Sequence, residues 1–137
     1  MTYAGDLTPL EAWTLLKDDA QAVLVDVRTE AEWRYVGVPD ASDAGKRAHL
    51  IEWNTYPAGT RNPDFLAQIQ ATGVEPGQPI VFLCRSGQRS IGAAEAATAA
   101  GLGPAYNILE GFEGATDEHG HRGVQGWKAA GLPWHQG

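Results

Sequence analysis

Short runs of mostly apolar residues recur along the chain, separated by polar or glycine-containing stretches. Residues 22–27 and 79–83 form the two clearest runs and are rich in branched aliphatic side chains. Because they lack the alternation of a half-exposed strand, they predict strands buried on both faces, as in a parallel sheet. Residues 105–109 predict a third strand, and residues 49–53 predict a short strand at the edge of the sheet.

Helices are predicted between these runs, where capping residues precede apolar positions at helical spacing. Thr8 and Pro9 predict the first helix, with Thr8 as the N-cap and Pro9 at the first helical position. Leu10, Trp13 and Leu16 then recur at the spacing of one helix face. Further helices are predicted after residue 29, over 62–71 and 90–100, and as a last turn at 126–130.

Strands that alternate with helices predict an α/β fold with a mainly parallel central sheet and helices on both faces. The length of 137 residues suits one hydrophobic core, and no change of composition divides the chain. Residues 1–137 are therefore predicted to form a single domain. The polar, glycine-rich stretch 111–126 predicts a loop within it.

Composition narrows the classes of partner. Apolar residues make up 43% of the chain, and 17 acidic against 10 basic residues give a net charge of −7. This balance argues against broad binding to nucleic acid or to anionic membranes. No apolar run is long enough to span a bilayer, and the N-terminus lacks the pattern of a signal peptide. These features predict a cytoplasmic protein with neither a nucleic-acid nor a membrane partner.

Cys84, the only cysteine, directly follows the second buried run and precedes a predicted helix. Ligands bind open α/β sheets at the carboxyl ends of the strands, where loop N–H groups and a helix N-terminus favour anions. Two arginines in the same loop add positive charge, and such surroundings favour the thiolate of a cysteine. A small buried hydrophobe is the alternative interpretation of a lone cysteine, but this loop favours a nucleophile.

Several segments of the chain resemble the rhodanese family. Residues 24–33 are similar to its Asp-Val-Arg strand end and Glu-aromatic helix, and 80–90 resemble its active-site strand and loop. Residues 107–111 and 126–133 resemble its C-terminal end. The resemblance implies a single rhodanese-like domain that transfers a sulfane sulfur through a persulfide on Cys84, by covalent ping-pong chemistry without a cofactor.

The resemblance also implies roles for individual residues. Cys84 is the expected catalytic nucleophile, taking sulfur from a small donor such as thiosulfate and passing it to cyanide, a thiol or a protein acceptor. Asp26 and Arg28 are expected to support the strand end structurally. Gly87 suits a tight turn, and the hydroxyls of the two loop serines are expected to bond the sulfur or cap the helix. The expected substrate-binding residues are Arg85, Ser86, Gly87, Gln88, Arg89 and Ser90. For Arg85, a solvated position on the surface is the alternative.

Two segments depart from the family pattern. Residues 37–41 replace a longer stretch that contains a histidine in most members, and the loop 112–125 is longer than usual. That loop contains Asp117, Glu118, His119 and His121, but it offers neither a helical histidine pair nor cysteine ligands. No metal site is therefore predicted, and the loop is expected to shape access for the acceptor.

Two other function classes remain open. The same fold supports dual-specificity phosphatases, whose phosphate-binding loop has five residues between cysteine and arginine, whereas four lie between Cys84 and Arg89. Leu83 also stands where such phosphatases have histidine. A non-enzymatic binding or regulatory module is the second alternative, although such forms commonly lack the cysteine. Sulfur delivery to a partner protein and sensing of arsenate or reactive oxygen stay open too.

Overall fold

Within residues 3–55, 59–114, 118–122 and 125–136, which the computed structural model describes, five parallel strands form a central sheet. A separate antiparallel pair joins two further short strands. The sheet has the order β1-β6-β5-β2-β4, so all five carboxyl ends meet at one edge. The strands are β1 (Gly5–Leu7), β2 (Val23–Asp26), β3 (Val38–Pro39), β4 (Ala48–Leu50), β5 (Ile80–Leu83), β6 (Ala105–Ile108) and β7 (Trp134–His135).

Helices cover both faces of this sheet, which confirms the predicted α/β fold. Side chains from α3 (Phe65–Ala71) and α4 (Arg89–Ala99) form one apolar cluster with one face. Side chains from α1 (Pro9–Asp18) and the C-terminal segment form the second cluster on the opposite face. The short helix α2 (Glu30–Tyr35) has no fully buried residue. Among the described residues, no helix combines the length and apolarity needed to cross a bilayer.

Strand β5 lies at the centre of the sheet, as its uninterrupted apolar sequence predicts. All four of its residues are buried. Ile80 and Phe82 belong to the cluster under α3 and α4, whereas Val81 and Leu83 belong to the cluster under α1. Cys84 continues this alternation and points to the α4 side. The fully buried strand thus fixes the face on which the sulfur lies.

The N-terminus of α1 was predicted correctly, and its buried face was predicted in part, because Leu16 is buried and Trp13 packs against the second cluster. Thr8 and Glu11 form the capping box, and Pro9 takes the first helical position. Leu10, however, is 58% exposed, and the buried residues are Pro9, Ala12 and Leu16. The small Ala12 lies three residues after Pro9 and four before Leu16, so these positions define the stripe that faces the sheet.

Other boundaries differ from the predictions for local reasons. Helix α3 starts at Phe65, because the Asn62 Oδ1 accepts a hydrogen bond from the Asp64 backbone N–H and forms a turn before the helix. The predicted edge strand is shorter and spans Ala48–Leu50. The predicted last helical turn is a single turn closed by the Ala130 N–H on the Gly126 carbonyl. The short strands β1, β3 and β7 were not predicted.

The segment after β6 crosses the end of β5 and fixes the backbone beside Cys84. The Phe112 N–H donates to the Cys84 carbonyl at 2.7 Å, and the Glu113 N–H donates to the Arg85 carbonyl at 2.9 Å. Gly111 makes this approach possible. Its φ is +59°, and a Cβ there would lie 2.3 Å from the Cys84 carbonyl oxygen.

Replacing Gly111 with alanine is therefore expected to destabilise the protein strongly. Gly101→Ala is the matched control, because Gly101 has a φ of +81° and a Cβ added there would meet no atom within 4 Å. We expect Gly111→Ala to lower the free energy of unfolding by at least about 2 kcal/mol more than Gly101→Ala does. Urea unfolding measures both values. Equal losses would show that the contact with the Cys84 backbone is unimportant.

Candidate active site

Cys84 lies at the carboxyl end of the central strand, with its side chain enclosed. The residue is 1% exposed. Its Sγ accepts a hydrogen bond from the Gly87 backbone N–H at 3.1 Å, and the Ser90 Oγ lies 3.2 Å away. The chain therefore curls around the sulfur within three residues and returns to it at the first turn of α4.

The loop between Cys84 and α4 offers unpaired backbone donors. Among the residues that the structure describes, none accepts a hydrogen bond from the backbone N–H of Ser86, Gln88 or Arg89. Gln88 occupies the N-cap of α4, but its side chain forms no capping bond. Loop N–H groups and a helix N-terminus without side-chain caps are a favourable environment for an anion.

The Arg89 guanidinium is held by a carboxylate on α2. Its Nη1 and Nη2 donate to the two Glu32 carboxylate oxygens at 2.7 and 2.9 Å. Glu32 also accepts from the Thr29 backbone in the capping box of α2, so one side chain starts a helix and orients Arg89. Arg89 is thus a fixed positive charge beside the loop rather than a freely moving one.

These contacts shift the pKa values of both partners. Desolvation by burial raises the pKa of the Glu32 carboxyl, but the hydrogen bonds and charge of Arg89 outweigh it and lower the pKa to about 2. Desolvation by burial lowers the pKa of the Arg89 guanidinium, but the hydrogen bonds and charge of Glu32 outweigh this effect. The pKa of Arg89 therefore lies above its ordinary value. The charges of Cys84 and Asp26 also raise the Arg89 pKa.

A second ion pair lies entirely inside the protein at the end of β2. Asp26 and Arg28 are both 0% exposed, and Arg28 Nη2 lies 2.6 Å from the Asp26 carboxylate. The same nitrogen donates to the Gly37 carbonyl, and the guanidinium lies over the Phe112 ring at 4.2 Å. Arg28 therefore joins β2 to the turn before β3 and to the segment beside Cys84, contacts that suit a supporting role.

A line of polar side chains on the other side of Cys84 was not foreseen from the sequence. The buried Ser90 hydroxyl donates a hydrogen bond to Asn107 Oδ1 on β6. Asn107 Nδ2 donates to the Asp6 carboxylate at 3.0 Å, and the Tyr3 hydroxyl donates to the same oxygen at 2.7 Å. The signal that could have pointed to Asn107 is a polar residue inside an apolar strand pattern.

The remaining predicted loop residues lie around the sulfur but differ in exposure. Gly87 is buried and Ser86 is half-buried, whereas Arg85 and Gln88 are exposed. Arg85 is therefore the loop cation that faces solvent, since Arg89 is paired with Glu32. Their roles in binding substrate stay predictions.

The two segments that depart from the family pattern lie as follows. Residues 37–41 include β3, which pairs with β7 near the C-terminus. In the loop 112–125, His119 lies 3.5 Å from the Glu118 carboxylate, and the His119 and His121 rings are 6.5 Å apart. Asp117 lies outside the described residues. Among those described, no three histidine, cysteine or acidic side chains are grouped to hold a metal ion.

Comparison with known proteins agrees with this fold over nearly the whole chain. A family model described as STR4 middle domain matches residues 5–137. The crystal structure of Rv0390 from M. tuberculosis is similar with a TM-score of 0.92 and 60% sequence identity, over 99% of this chain and 100% of that one.

Two curated relatives are more distant. An uncharacterized protein of Rickettsia conorii is 37% identical over 125 residues, which are 90% of this chain and 91% of that protein. The chloroplastic rhodanese-like domain-containing protein 4 of Arabidopsis thaliana is 30% identical over 124 residues. These residues are 90% of this chain but 24% of the Arabidopsis protein.

The Glu32–Arg89 pair predicts a pH-dependent contribution to stability. Glu32→Gln should lower the free energy of unfolding by about 1–2 kcal/mol at pH 7, because Arg89 loses its charged acceptor. The folded-state pKa of Glu32 is about 2 against an ordinary value of 4.5. Its stabilisation is therefore complete above pH 4.5 and disappears as the pH falls towards 2.

Glu30→Gln is the matched control on the same helix. Glu30 pairs with Arg34 in an exposed i,i+4 contact at 3.0 Å, so its loss should cost less than about 0.5 kcal/mol. Urea unfolding from pH 7 to pH 3 should show the difference between wild type and Glu32→Gln narrowing below pH 4.5. A difference that is independent of pH would contradict this assignment.

Proposed function

The chain belongs to the STR4 middle-domain family of rhodanese-like proteins, and we propose that it is a sulfurtransferase that carries a sulfane sulfur on Cys84. One observation carries the proposal. The only cysteine of the chain is seated at the end of the central strand and bonded to the Gly87 N–H. It lies beneath a loop in which three backbone N–H groups have no acceptor among the described residues. This geometry suits the negatively charged terminal sulfur of a persulfide, which would be bonded to Cys84 Sγ.

The first half-reaction forms the persulfide. The Cys84 thiolate attacks the outer sulfur of a donor such as thiosulfate, and the bond between the two donor sulfurs breaks. Sulfite leaves with the electron pair of that bond, and Cys84 retains the outer sulfur as an anionic persulfide. The N–H groups of Ser86, Gln88 and Arg89, which have no acceptor in the described part of the chain, are the donors available to stabilise the new terminal charge.

The second half-reaction returns the enzyme to its first state. A thiophilic acceptor such as cyanide or a thiolate attacks the terminal sulfur, and the electron pair of the persulfide bond returns to Cys84. Cyanide leaves as thiocyanate, and a thiolate leaves as a new persulfide. No redox cofactor is needed, because each step exchanges one sulfur–nucleophile bond for another.

The enclosure of Cys84 restricts the donor. Because the residue is 1% exposed, the transferable sulfur has to enter the loop to reach Sγ. A terminal, unbranched sulfur, as in thiosulfate, a polysulfide or a persulfide, fits this requirement. A protein acceptor would have to present its own thiol in the same way.

The phosphatase alternative is less well supported by the site. The loop is one residue shorter than the phosphatase pattern, and both terminal nitrogens of Arg89 are bonded to Glu32. Arg89 would have to leave that carboxylate to hold a phosphoryl group. Hydrolysis of an aryl phosphate that is lost in Cys84→Ser would support this alternative.

A binding module remains the other candidate. The cytoplasmic location stays a prediction, and the Arabidopsis relative is chloroplastic.

Incubation with thiosulfate should add one sulfur atom to the protein. Intact-mass spectrometry should show this adduct on wild type and none on Cys84→Ser, since no other cysteine exists. Cyanide should then remove the added mass and yield an equivalent amount of thiocyanate. If neither thiosulfate nor a low-molecular-weight persulfide labels Cys84, the sulfurtransferase proposal is wrong and the binding module is favoured.

Arg85 should attract anionic donors without taking part in the bond changes. Arg85→Gln is expected to slow persulfide formation from thiosulfate by about two- to fivefold at low salt, and high salt should remove the difference. Alkylation of Cys84 by neutral iodoacetamide should change little. Arg34→Gln, which removes an exposed arginine of α2, is the control. Equal slowing by Arg34→Gln would mean that Arg85 has no local role.

A further inference from the structure

A line of hydrogen bonds leads from Cys84 across two strands to β1. The Ser90 Oγ is 3.2 Å from Cys84 Sγ and is bonded to Asn107 Oδ1. Asn107 Nδ2 donates to Asp6 Oδ1, which also accepts from the Tyr3 hydroxyl. Ser90 and Asn107 are 0% and 1% exposed, so water does not compete at the inner end of the line.

The chemistry of these groups fixes the direction of every bond in the line. A carboxylate oxygen accepts and does not donate, so Asn107 turns its amide nitrogen to Asp6 and its Oδ1 to Ser90. A serine hydroxyl has one hydrogen, and Asn107 Oδ1 takes it. Ser90 therefore presents only lone pairs to Cys84, and the contact between Sγ and Oγ is satisfied when the Cys84 S–H donates.

We propose that Asn107 is a positioning residue that holds the Ser90 hydroxyl as an acceptor towards Cys84, so that this hydroxyl cannot donate to a Cys84 thiolate. To donate to a Cys84 thiolate, Ser90 would have to leave Asn107 Oδ1, which would then be buried without a partner. Asn107 and the Cys84 thiolate thus compete for the single Ser90 proton. The Gly87 N–H donates to Sγ in either case.

The consequence for sulfur transfer rests on the proposed function. Asn107 would restrain only the sulfur-free enzyme, because in the persulfide the charge lies on the terminal sulfur and no longer on Sγ. The resting cysteine would be protected from general electrophiles, while the loaded form would remain free to react with an acceptor.

The charged groups near Cys84 come from several elements. Arg89 on α4 is the charge that interacts with Cys84, and its own neighbours are Glu32 of α2 and Asp26 of β2. The others are Arg28 after β2, Arg85 in the loop and Asp6 of β1. A substitution at Asn107 leaves all of these charges unchanged.

The test measures the Cys84 thiolate directly by its ultraviolet absorbance as the pH is raised. Cys84 is the only cysteine, so subtracting the same variant with Cys84→Ser isolates its signal. Asn107→Leu should free the Ser90 hydroxyl to donate to the thiolate and lower the midpoint of this titration by about one pH unit. In the Ser90→Ala background, Asn107→Leu should shift the midpoint little.

A shift of the same size with and without Ser90 would overturn the proposal, as would no shift or a shift to higher pH. Asp6→Asn provides a second route, because Asp6 is exposed and its replacement should leave the core intact. It frees Asn107 to turn its amide, so the midpoint should fall in a way that again requires Ser90. Tyr3→Phe leaves Asp6 and Asn107 paired and should not move it.

The outcome is independent of sulfur transfer. The titration requires no donor, so a Ser90-dependent shift would stand even if thiosulfate failed to label Cys84. A protein that forms the persulfide but shows no such shift would refute the role of Asn107 alone.

Discussion

The hydrogen bond from the Phe112 N–H to the Cys84 carbonyl is the contact on which the candidate site depends. It joins the chain beyond β6 to the residue that follows β5, after the regular pairing of the two strands has stopped. Gly111 permits the approach, and Phe112 then lies beneath the Arg28 guanidinium. The backbone of Cys84 is therefore fixed before the loop begins, and only the loop and side chains adjust the sulfur.

The two ion pairs near Cys84 support this site in different ways. Asp26 and Arg28 are fully buried, and removing one partner would leave an uncompensated charge, so their pair ties three segments together rigidly. Glu32 and Arg89 are only partly buried and keep contact with solvent. Because Glu32 also caps α2, the position of Arg89 follows from the start of a helix far away in sequence.

Local patterns predicted much of the fold, whereas the contacts that tune the site are long-range. The apolar sequence of β5 identified the buried central strand, and Thr8 with Glu11 identified the start of α1. The loop cradle around Cys84 was likewise predicted from its neighbours in sequence. Arg89 was expected to attract anions, but its partner Glu32 lies 57 residues away, and no local pattern reveals such a pairing. Asn107 interrupts an apolar strand pattern, but its role was unassigned because its partners Ser90 and Asp6 lie on other elements.

The sulfur of Cys84 is thus subject to opposing influences within one small volume. The Gly87 N–H and the Arg89 charge stabilise negative charge on it, whereas enclosure in the apolar cluster and the Ser90 lone pairs oppose that charge. The proposed sulfur transfer requires that the persulfide bond on Cys84 both forms and breaks. A strongly stabilised thiolate would hinder its formation, because such a thiolate is a poor nucleophile towards the donor. A balance of donors, with one hydroxyl turned away by Asn107, suits a sulfur that is loaded and unloaded in each cycle.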